Sequence, residues 1–453
     1  MLVIARELLA KEPVRVIMIL STSQAQQAAE GFEFEGIEVI NYQRTRGSLQ
    51  GFRDSRPGKR LTALLERLLH RGVPLPSLLF RLGFDLFENL ETDYRYCLEL
   101  LRRLKPRCVL VPDDRSLAGG FLPAMIKACK DLDVHNLIPP ISHAGDQTDL
   151  TNLGNRARLV VSGVEWFKQA YPKQVVQNSR TGQWHSFYTI VTTRLLRRFG
   201  VLPTNPWVLG GGNCALVLAD GEECRERYLR AGCAPDKIRI TGHVSTDSIY
   251  SGYQRRDELK QQLVERYGLD SERPLLLLAL PQFAEHGQMS WQEHWDELHF
   301  LCRAAAVSNA DVLVSLHPKM DAVRYDFIQS DYGIAVAEQP MREIIPAADL
   351  FVATFSSTVI WAVLCNIPTL VPDIFRIDYG MFDRMDNVEV ISDMDKFEQR
   401  LKQLAADTGQ REALKKAGLP AINWLSPFDG RSGKRVVEAI LNKPAKAGAV
   451  APS

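Results

Sequence analysis

A run of hydroxyl side chains follows a short apolar stretch in the segment ADLFVATFSSTVIWAVLCNIPTLVP. Leu350–Ala353 predicts a buried strand, and Ser356, Ser357 and Thr358 come where the next helix should begin. A helix N-terminus has unpaired backbone N–H groups and the positive end of the helix dipole, so hydroxyls placed there favour phosphate binding. The alternative is that Ser356 or Ser357 only caps the helix, which is an ordinary role for serine.

Other polar residues follow two further apolar runs in the second half of the chain. DVLVSLHPK carries His317 and Lys319 at its end, and an imidazole beside an ammonium suits a phosphate-bearing ligand. LLLLAL is followed by Gln282 and His286, which would reach a nucleobase or a diphosphate. Ligands of open α/β sheets bind at the carboxyl ends of strands. The alternatives are a histidine that only ends its strand and a flexible loop that holds Gln282 and His286 there by chance.

The first half of the chain has its own polar residues after predicted strands. Asp113 and Asp114 follow a strand that begins at Cys108, and His143 follows the next strand, in ISHAGD. Parallel strands point their carboxyl ends the same way, so these side chains would address one substrate. A carboxylate or an imidazole can act as general base for an acceptor hydroxyl. Solvated loop acids and a histidine that only completes a hydrogen-bond network are the alternatives.

These segments together resemble the GT-B superfamily, in particular the branch that holds UDP-N-acetylglucosamine 2-epimerases, CDP-glycerol glycerophosphotransferases and related surface-polysaccharide transferases. LVSLHPK and ADLFVATFSSTVIWAVLCNIPTLV are similar to its second domain, KIRITGHVSTDSIY to the segment that closes its first domain, and FDGRS to its terminal helix entry. ISHAGD is similar to a strand that ends in a His-Gly pair, although Ala144 here separates His143 from Gly145. The resemblance implies that His143 faces the interdomain cleft, which makes it the first candidate base.

The chain departs from these relatives at Trp361. In many of them the helix after the serine turn carries an acidic residue that can bind a ribose hydroxyl, and that position is Trp361 here. An indole has one donor and no acceptor, so it cannot replace a carboxylate. The epimerases' Ser-Gly-Gly turn and paired glutamates are also absent from SSTVIW. These departures argue against an epimerase and weaken the case for a uridine nucleotide. The alternative for Trp361 is that it is an ordinary packing residue.

Composition is that of a soluble globular protein with two or three domains. The chain has 453 residues, of which 45% are hydrophobic and 24% charged, and its net charge of +1 gives no bulk attraction for nucleic acid. The spacing of the eight cysteines is not that of a zinc site, so we expect them to be small core residues. Cysteines of this kind indicate a reduced, cytoplasmic compartment. No signal peptide, metal motif or apolar run of about 18 residues is found.

The expected fold class is α/β, with two doubly wound Rossmann-like domains that face a central cleft, as in GT-B proteins. Residues 1–250 are predicted to form the acceptor-side domain, 251–442 the nucleotide-donor domain, and 443–453 a disordered tail. Residues 44–60 predict a mobile loop. The glycine run at 210–212 is not followed by the lysine and the hydroxyl residue of a P-loop. We therefore expect these glycines to allow close backbone packing.

A short basic amphipathic segment lies in FYTIVTTRLLRRFGVLP. Arg194, Arg197 and Arg198 are interleaved with apolar side chains in this segment. Such a pattern suits an enzyme that takes a lipid-linked acceptor at an anionic membrane face. The alternative is an ordinary surface helix packed on its domain.

The combined interpretation is a metal-independent GT-B-type glycosyltransferase of surface-polysaccharide biosynthesis, cytoplasmic or peripheral at the inner membrane face. It would transfer a sugar or polyol phosphate from a nucleotide-activated donor to a glycan or lipid-linked acceptor. No cofactor and no nucleic-acid partner is expected. A nucleotide-sugar 2-epimerase and a catalytically silent nucleotide-binding protein remain the alternatives. The predicted catalytic residues are His143, Asp113 and Asp114, and the predicted donor-binding residues are His317, Lys319, Ser356, Ser357, Thr358, Gln282 and His286.

Overall fold

The chain forms two compact units. The described residues up to Ala219, with Cys224–Ile240 and those from Lys434 onward, form the first unit, and 220–223 with 241–433 form the second. The predicted boundary between residues 250 and 251 differs from this division, because the helix that follows Ile240 packs Ile249 into the core of the second unit. The computed structural model describes residues 2–21, 36–43, 55–70, 85–116, 121–140, 159–178, 182–230, 232–285, 289–317, 320–354, 356–374 and 382–442.

Parallel strands and helices build the first unit. Its strands are β1 (Val16–Leu20), β2 (Ile37–Asn41), β3 (Cys108–Leu110), β4 (His135–Ile138), β5 (Val175–Gln177), β6 (Trp184–Ser186), β7 (Leu216–Ala219) and β8 (Ile238–Ile240). Its helices are α1 (Leu2–Lys11), α2 (Arg56–His70), α3 (Asp85–Leu104), α4 (Phe121–Asp131), α5 (Glu165–Ala170) and α6 (Ile190–Phe199), with short 3-10 turns at Pro172–Gln174 and Pro235–Lys237. Two more helices, α7 (Glu222–Arg230) and α16 (Ser432–Leu441), begin in residues of the second unit and end in the first.

The first unit contains a four-stranded parallel sheet in the order β3-β4-β7-β8. β1 and β2 pair in parallel, and β5 and β6 form an antiparallel pair. α3 and α4 pack together because buried residues recur every three or four positions on each, as at Cys97, Leu100 and Leu101 on α3. The buried Ala124 and Ala128 on α4 let the two helices approach closely.

The second unit is built from one sheet and its crossover helices. Its strands are β9 (Leu275–Ala279), β10 (Asp311–Ser315), β11 (Ala335–Val336), β12 (Leu350–Ala353), β13 (Thr369–Pro372) and β14 (Val388–Ile391). Its helices are α8 (Ser245–Tyr253), α9 (Arg256–Tyr267), α10 (Trp291–Ala306), α11 (Phe327–Tyr332), α12 (Met341–Ile344), α13 (Thr358–Leu364), α14 (Met394–Ala406) and α15 (Thr408–Leu425), with 3-10 turns at Ala322–Tyr325 and Ile345–Ala347.

The strand order in the second unit is β11-β10-β9-β12-β13-β14, and every pairing is parallel. Counted from β9 as strand one, this is the order 3-2-1-4-5-6 of nucleotide-binding Rossmann domains. The chain moves outward on one side from β9 to β11, then returns and moves outward on the other side from β12 to β14. The order therefore reverses between β9 and β12, and the predicted doubly wound fold is confirmed.

Both faces of this sheet are covered. Leu275 and Leu277 belong to one hydrophobic core and Leu276 and Leu278 to another, because successive side chains of a strand point to opposite faces. Helices pack against the sheet in both cores. α13 contributes to the core that contains Leu275 and Leu277, and α10 to the core that contains Leu276 and Leu278. The continuous apolar run of β9 is the pattern expected for a strand buried on both faces.

The cysteines pack as small core residues, as the sequence predicts, except that Cys108 is only half-buried. Burial raises the pKa of the Cys129 thiol to about 12. Within the described ranges, no helix is both long and apolar enough to cross a membrane.

Candidate functional site

The hydroxyl turn lies where β12 leads into α13. Ser356 Oγ accepts hydrogen bonds from the backbone N–H of Thr358 at 3.3 Å and from the Thr358 hydroxyl at 2.9 Å. Ser357 occupies the N-cap position with φ −60° and ψ −17°, and its side chain makes no capping bond. Ser356 thus has the capping role that was the alternative for this segment, whereas Ser357 is exposed and presents its hydroxyl to solvent.

Gln282 and the hydroxyl turn follow the two strands at which the sheet order reverses. β9 and β12 are direct neighbours, with Leu278 opposite Val352 and Ala279 opposite Ala353. Gln282 is half-buried three residues after β9. In open α/β sheets the crevice outside the carboxyl ends of such a strand pair is the place where ligands bind. Two of the predicted donor-binding groups therefore follow adjacent strands at the same edge of the sheet.

His317 joins them from the next strand. It is exposed two residues after β10, which is the other neighbour of β9, and its backbone N–H contacts Met320 Sδ at 3.3 Å. The carboxyl ends of β10, β9 and β12 thus carry an imidazole, an amide and hydroxyls in spatial order. Lys319, His286 and His143 lie outside the described residues, so their predicted roles stay predictions.

A carboxylate contact that the sequence does not reveal ties the loops after β9 and β10 together. Tyr325 donates its hydroxyl to Glu285 Oε1 at 2.5 Å, and Glu285 Oε2 lies 3.7 Å from His294 Nε2. His294 is fully buried near the start of α10, and burial lowers its pKa while Glu285 acts in the opposite direction. Tyr325 and Glu285 are 40 residues apart, so no local pattern could have paired them.

Asp113 is held by its own neighbour in the first unit. The Arg115 guanidinium binds the Asp113 carboxylate through Nε at 3.0 Å and a terminal nitrogen at 2.9 Å, and the Arg115 backbone N–H donates at 2.6 Å. Tyr188 in turn donates its hydroxyl to the Arg115 carbonyl oxygen. The turn after β3 is therefore fixed by side chains from within the unit, and the Asp113 carboxylate already has a cation partner.

Asp114 is buried and accepts three backbone hydrogen bonds. Gly210, Gly212 and Cys214 donate their N–H groups to its carboxylate at 2.9, 3.0 and 3.4 Å. Burial raises the pKa of Asp114, while Lys237 and the backbone donors oppose that rise. A Cβ on Gly212 would lie 1.9 Å from the Asp114 carbonyl oxygen, so the predicted close packing of this glycine run is confirmed.

Trp361 is partly buried and packs against the core of the second unit that contains α13. Its place on the helix is that of an ordinary packing residue, one of the two interpretations of this position. An indole in this position leaves no carboxylate for a ribose hydroxyl on this turn of α13.

Two arginines of α6 lie over aromatic rings of the same unit. The Arg194 guanidinium carbon is 4.9 Å from the ring centroid of Trp166, and that of Arg197 is 5.5 Å from Tyr171. The opposite face of α6 is buried, as at Leu195 and Leu196, so the predicted amphipathic helix is confirmed as a helix packed on its unit. No cluster of His, Cys, Asp or Glu suited to a metal ion occurs in the part of the chain that the structure describes.

Solved structures of low sequence identity share this architecture. No protein-family model and no curated protein matches the sequence. The UDP-GlcNAc 2-epimerase from Neisseria meningitidis bound to UDP-GlcNAc aligns over 96% of this chain and 94% of its own, with 12% identity and a TM-score of 0.50. The chain has a GT-B-like fold. The GT-B-like fold predicted from the sequence is confirmed.

Two further structures are similar to a lesser degree. Another UDP-N-acetylglucosamine 2-epimerase aligns over 97% of this chain and 91% of its own, with 14% identity and a TM-score of 0.47. The wall teichoic acid polymerase TagF aligns over 50% of this chain with 14% identity and a TM-score of 0.36, and this chain spans 56% of the TagF chain.

Proposed function

We propose that the protein is a transferase whose second unit binds a nucleotide-activated donor at the carboxyl edge of its sheet. The observation that carries the proposal is the reversal of strand order between β9 and β12, with Gln282 after one strand and the exposed Ser357 after the other. The reaction is transfer of a sugar or a polyol phosphate to the hydroxyl of a glycan or lipid-linked acceptor in surface-polysaccharide biosynthesis. The first unit holds the acceptor.

The donor phosphates are bound by hydrogen-bond donors and cations. Ser357 contacts the diphosphate from the start of α13, and Thr358 can join it once its hydroxyl is released from Ser356. His317, which follows the strand on the other side of β9, and Lys319 are the proposed partners on the opposite side. Such donors stabilise the negative charge that develops on the leaving phosphate, so the proposed reaction needs no metal ion. Ser356 acts indirectly, since its oxygen accepts both hydrogen bonds that Thr358 donates and so fixes the turn.

His143 is the proposed general base for the acceptor hydroxyl. Asp113 and Asp114 are assigned a supporting role, because one is paired with Arg115 and the other accepts three backbone donors. A base needs a lone pair that faces the hydroxyl, and both carboxylates already have strong partners. Peripheral contact of α6 with an anionic membrane would bring a lipid-linked acceptor to this unit.

Nucleotide binding by matched variants tests the donor site. A panel of UDP, CDP, CMP and GDP derivatives should contain a ligand that raises the Tm of the wild type, because a ligand of the native state stabilises it. Ser357→Ala should make the binding free energy of that ligand less favourable by about 1 to 3 kcal/mol, the scale of a hydrogen bond to a charged group. Ser330→Ala, which removes another exposed serine from α11, should leave the affinity unchanged.

His317→Ala provides a second arm of the same experiment. It should lower affinity or turnover much more than it lowers Tm, because an exposed imidazole contributes little to packing. Unchanged nucleotide affinity in folded Ser357→Ala and His317→Ala variants would exclude this edge as the donor site.

A further inference from the structure

A cavity of about 510 Å³ lies in the first unit, beside the C-terminal end of α6. One wall is the turn that leads into β5, and the other is the segment that follows α6. A volume of this size is within the range of small-molecule sites, about 300 to 1,000 Å³. The side chains that matter for its chemistry are those of Tyr171, Lys173, Gln174, Arg197 and Thr204.

The two walls are fixed to each other without a ligand. Gln174 is 3% exposed, and its amide Nε2 donates to the Pro203 carbonyl oxygen at 2.7 Å. Gly200 ends α6 in the left-handed conformation with φ 80°, which turns the chain into the second wall. Leu202 then bonds back to the carbonyl oxygen of Leu196 at 3.1 Å. The cavity is therefore a preformed feature of the fold.

Its lining carries two cations and no carboxylate. The Arg197 guanidinium lies over the Tyr171 ring and donates to the Tyr171 hydroxyl oxygen at 3.4 Å. The Tyr171 hydroxyl accepts this bond and so keeps its own proton for donation. Among the described residues, neither Arg197 nor Lys173 forms an ion pair with an acidic side chain. Two uncompensated cations and a phenol at one preformed cavity favour an anionic ligand.

We propose that this cavity binds the phosphate group of a small phosphorylated ligand, either a soluble phosphate monoester or a phosphate-bearing lipid headgroup. The guanidinium would bind two phosphate oxygens in its planar fork. Lys173, an exposed residue whose ammonium lies beside Gly232, adds positive charge at the facing wall. The site belongs to the first unit, so it is separate from the donor site proposed in the second and does not depend on it.

Titration calorimetry at fixed ionic strength tests the proposal directly. Glycerol 3-phosphate is titrated into the wild-type protein, with glycerol as the uncharged control. Saturable binding of the phosphate ester is expected, and Lys173→Gln and Arg197→Gln should each raise its Kd about tenfold. Arg103→Gln is the matched control, because Arg103 is exposed on α3 and does not line the cavity. It should leave the Kd unchanged.

A second arm separates the two sources of phosphate. The same variants are sedimented with vesicles that contain phosphatidic acid and with vesicles of phosphatidylcholine alone. Binding confined to phosphatidic acid vesicles, lost in the two cavity variants and kept in Arg103→Gln, would assign the site to a lipid headgroup. Absence of binding in both arms would overturn the proposal. Equal weakening by all three substitutions would also overturn it, because general surface charge would then explain the binding.

Discussion

Adjacent serines in the hydroxyl turn have different partners and therefore different expected effects. Ser356 Oγ satisfies the first backbone N–H of α13 and also binds the Thr358 hydroxyl. Ser356→Ala should lower the free energy of unfolding by about 1 kcal/mol, the usual cost of a lost helix cap. Urea unfolding would measure this change. Ser357→Ala should change stability much less, since its side chain caps nothing. Equal destabilisation by the two substitutions would contradict this assignment.

Asp114 should matter for stability rather than for chemistry. Asp114→Ala leaves the N–H groups of Gly210 and Gly212 without acceptors in a buried place, which should cost about 3 kcal/mol or more. Urea unfolding of this variant beside Asp113→Ala tests the contrast, because Asp113 is partly exposed and pairs within its own turn. An Asp114 variant of wild-type stability would show that the glycine turn does not need the carboxylate.

At the scale of single residues, the sequence identified polar positions better than it identified their roles. Asp113-Asp114 after a strand has the appearance of a catalytic pair, yet the partners of Asp114 lie almost 100 residues later in the chain. Such contacts form only when the fold brings distant segments together. The hydroxyl turn was predictable because its strand, turn and helix are contiguous and each has its own local pattern.

The burial of His294 on α10 should make the free energy of unfolding depend on pH. Its pKa is lowered in the fold, so below the ordinary value of 6.5 the unfolded chain binds a proton more readily than the native state. The free energy of unfolding should therefore fall as the pH decreases below 6.5. Chemical denaturation on both sides of that pH, in the wild type and in His294→Gln, would measure it. A decrease of the same size in the variant would contradict the attribution.

At the scale of elements, strands buried on both faces were the easiest to predict. LLLLA and LFVA are continuous apolar runs, and they form β9 and β12. β5 and β6 were not predicted, because each has only three residues and β6 carries the sequence WHS. Their antiparallel pairing places Val175 opposite Ser186.

At the scale of the whole molecule, the two-unit α/β architecture was predictable and the division of the chain was not. The second sheet follows from apolar runs that alternate with helical segments. The division differs from the predicted boundary because α8 buries Ile249 in the second unit and the residues from Lys434 return to the first. A return of the chain to its first unit is a long-range property that composition and local pattern do not encode.

The proposed reaction transfers a group to an acceptor and does not invert a centre on the nucleotide sugar. An epimerase needs only its nucleotide sugar, whereas a transferase needs an acceptor hydroxyl for rapid turnover. NMR of the purified protein with nucleotide sugars alone should show slow hydrolysis at most and no new stereoisomer. Release of the nucleotide should accelerate when a glycan or lipid-linked acceptor is added.

The same NMR measurement on His143→Ala completes the test. The acceptor-dependent release should fall about 100-fold or more if that imidazole is the base. Asp113→Asn serves as the comparison and should retain most of this activity, because Asp113 is already paired with Arg115. Appearance of an epimerised nucleotide sugar in the acceptor-free reaction of the wild type would contradict the proposed transfer reaction.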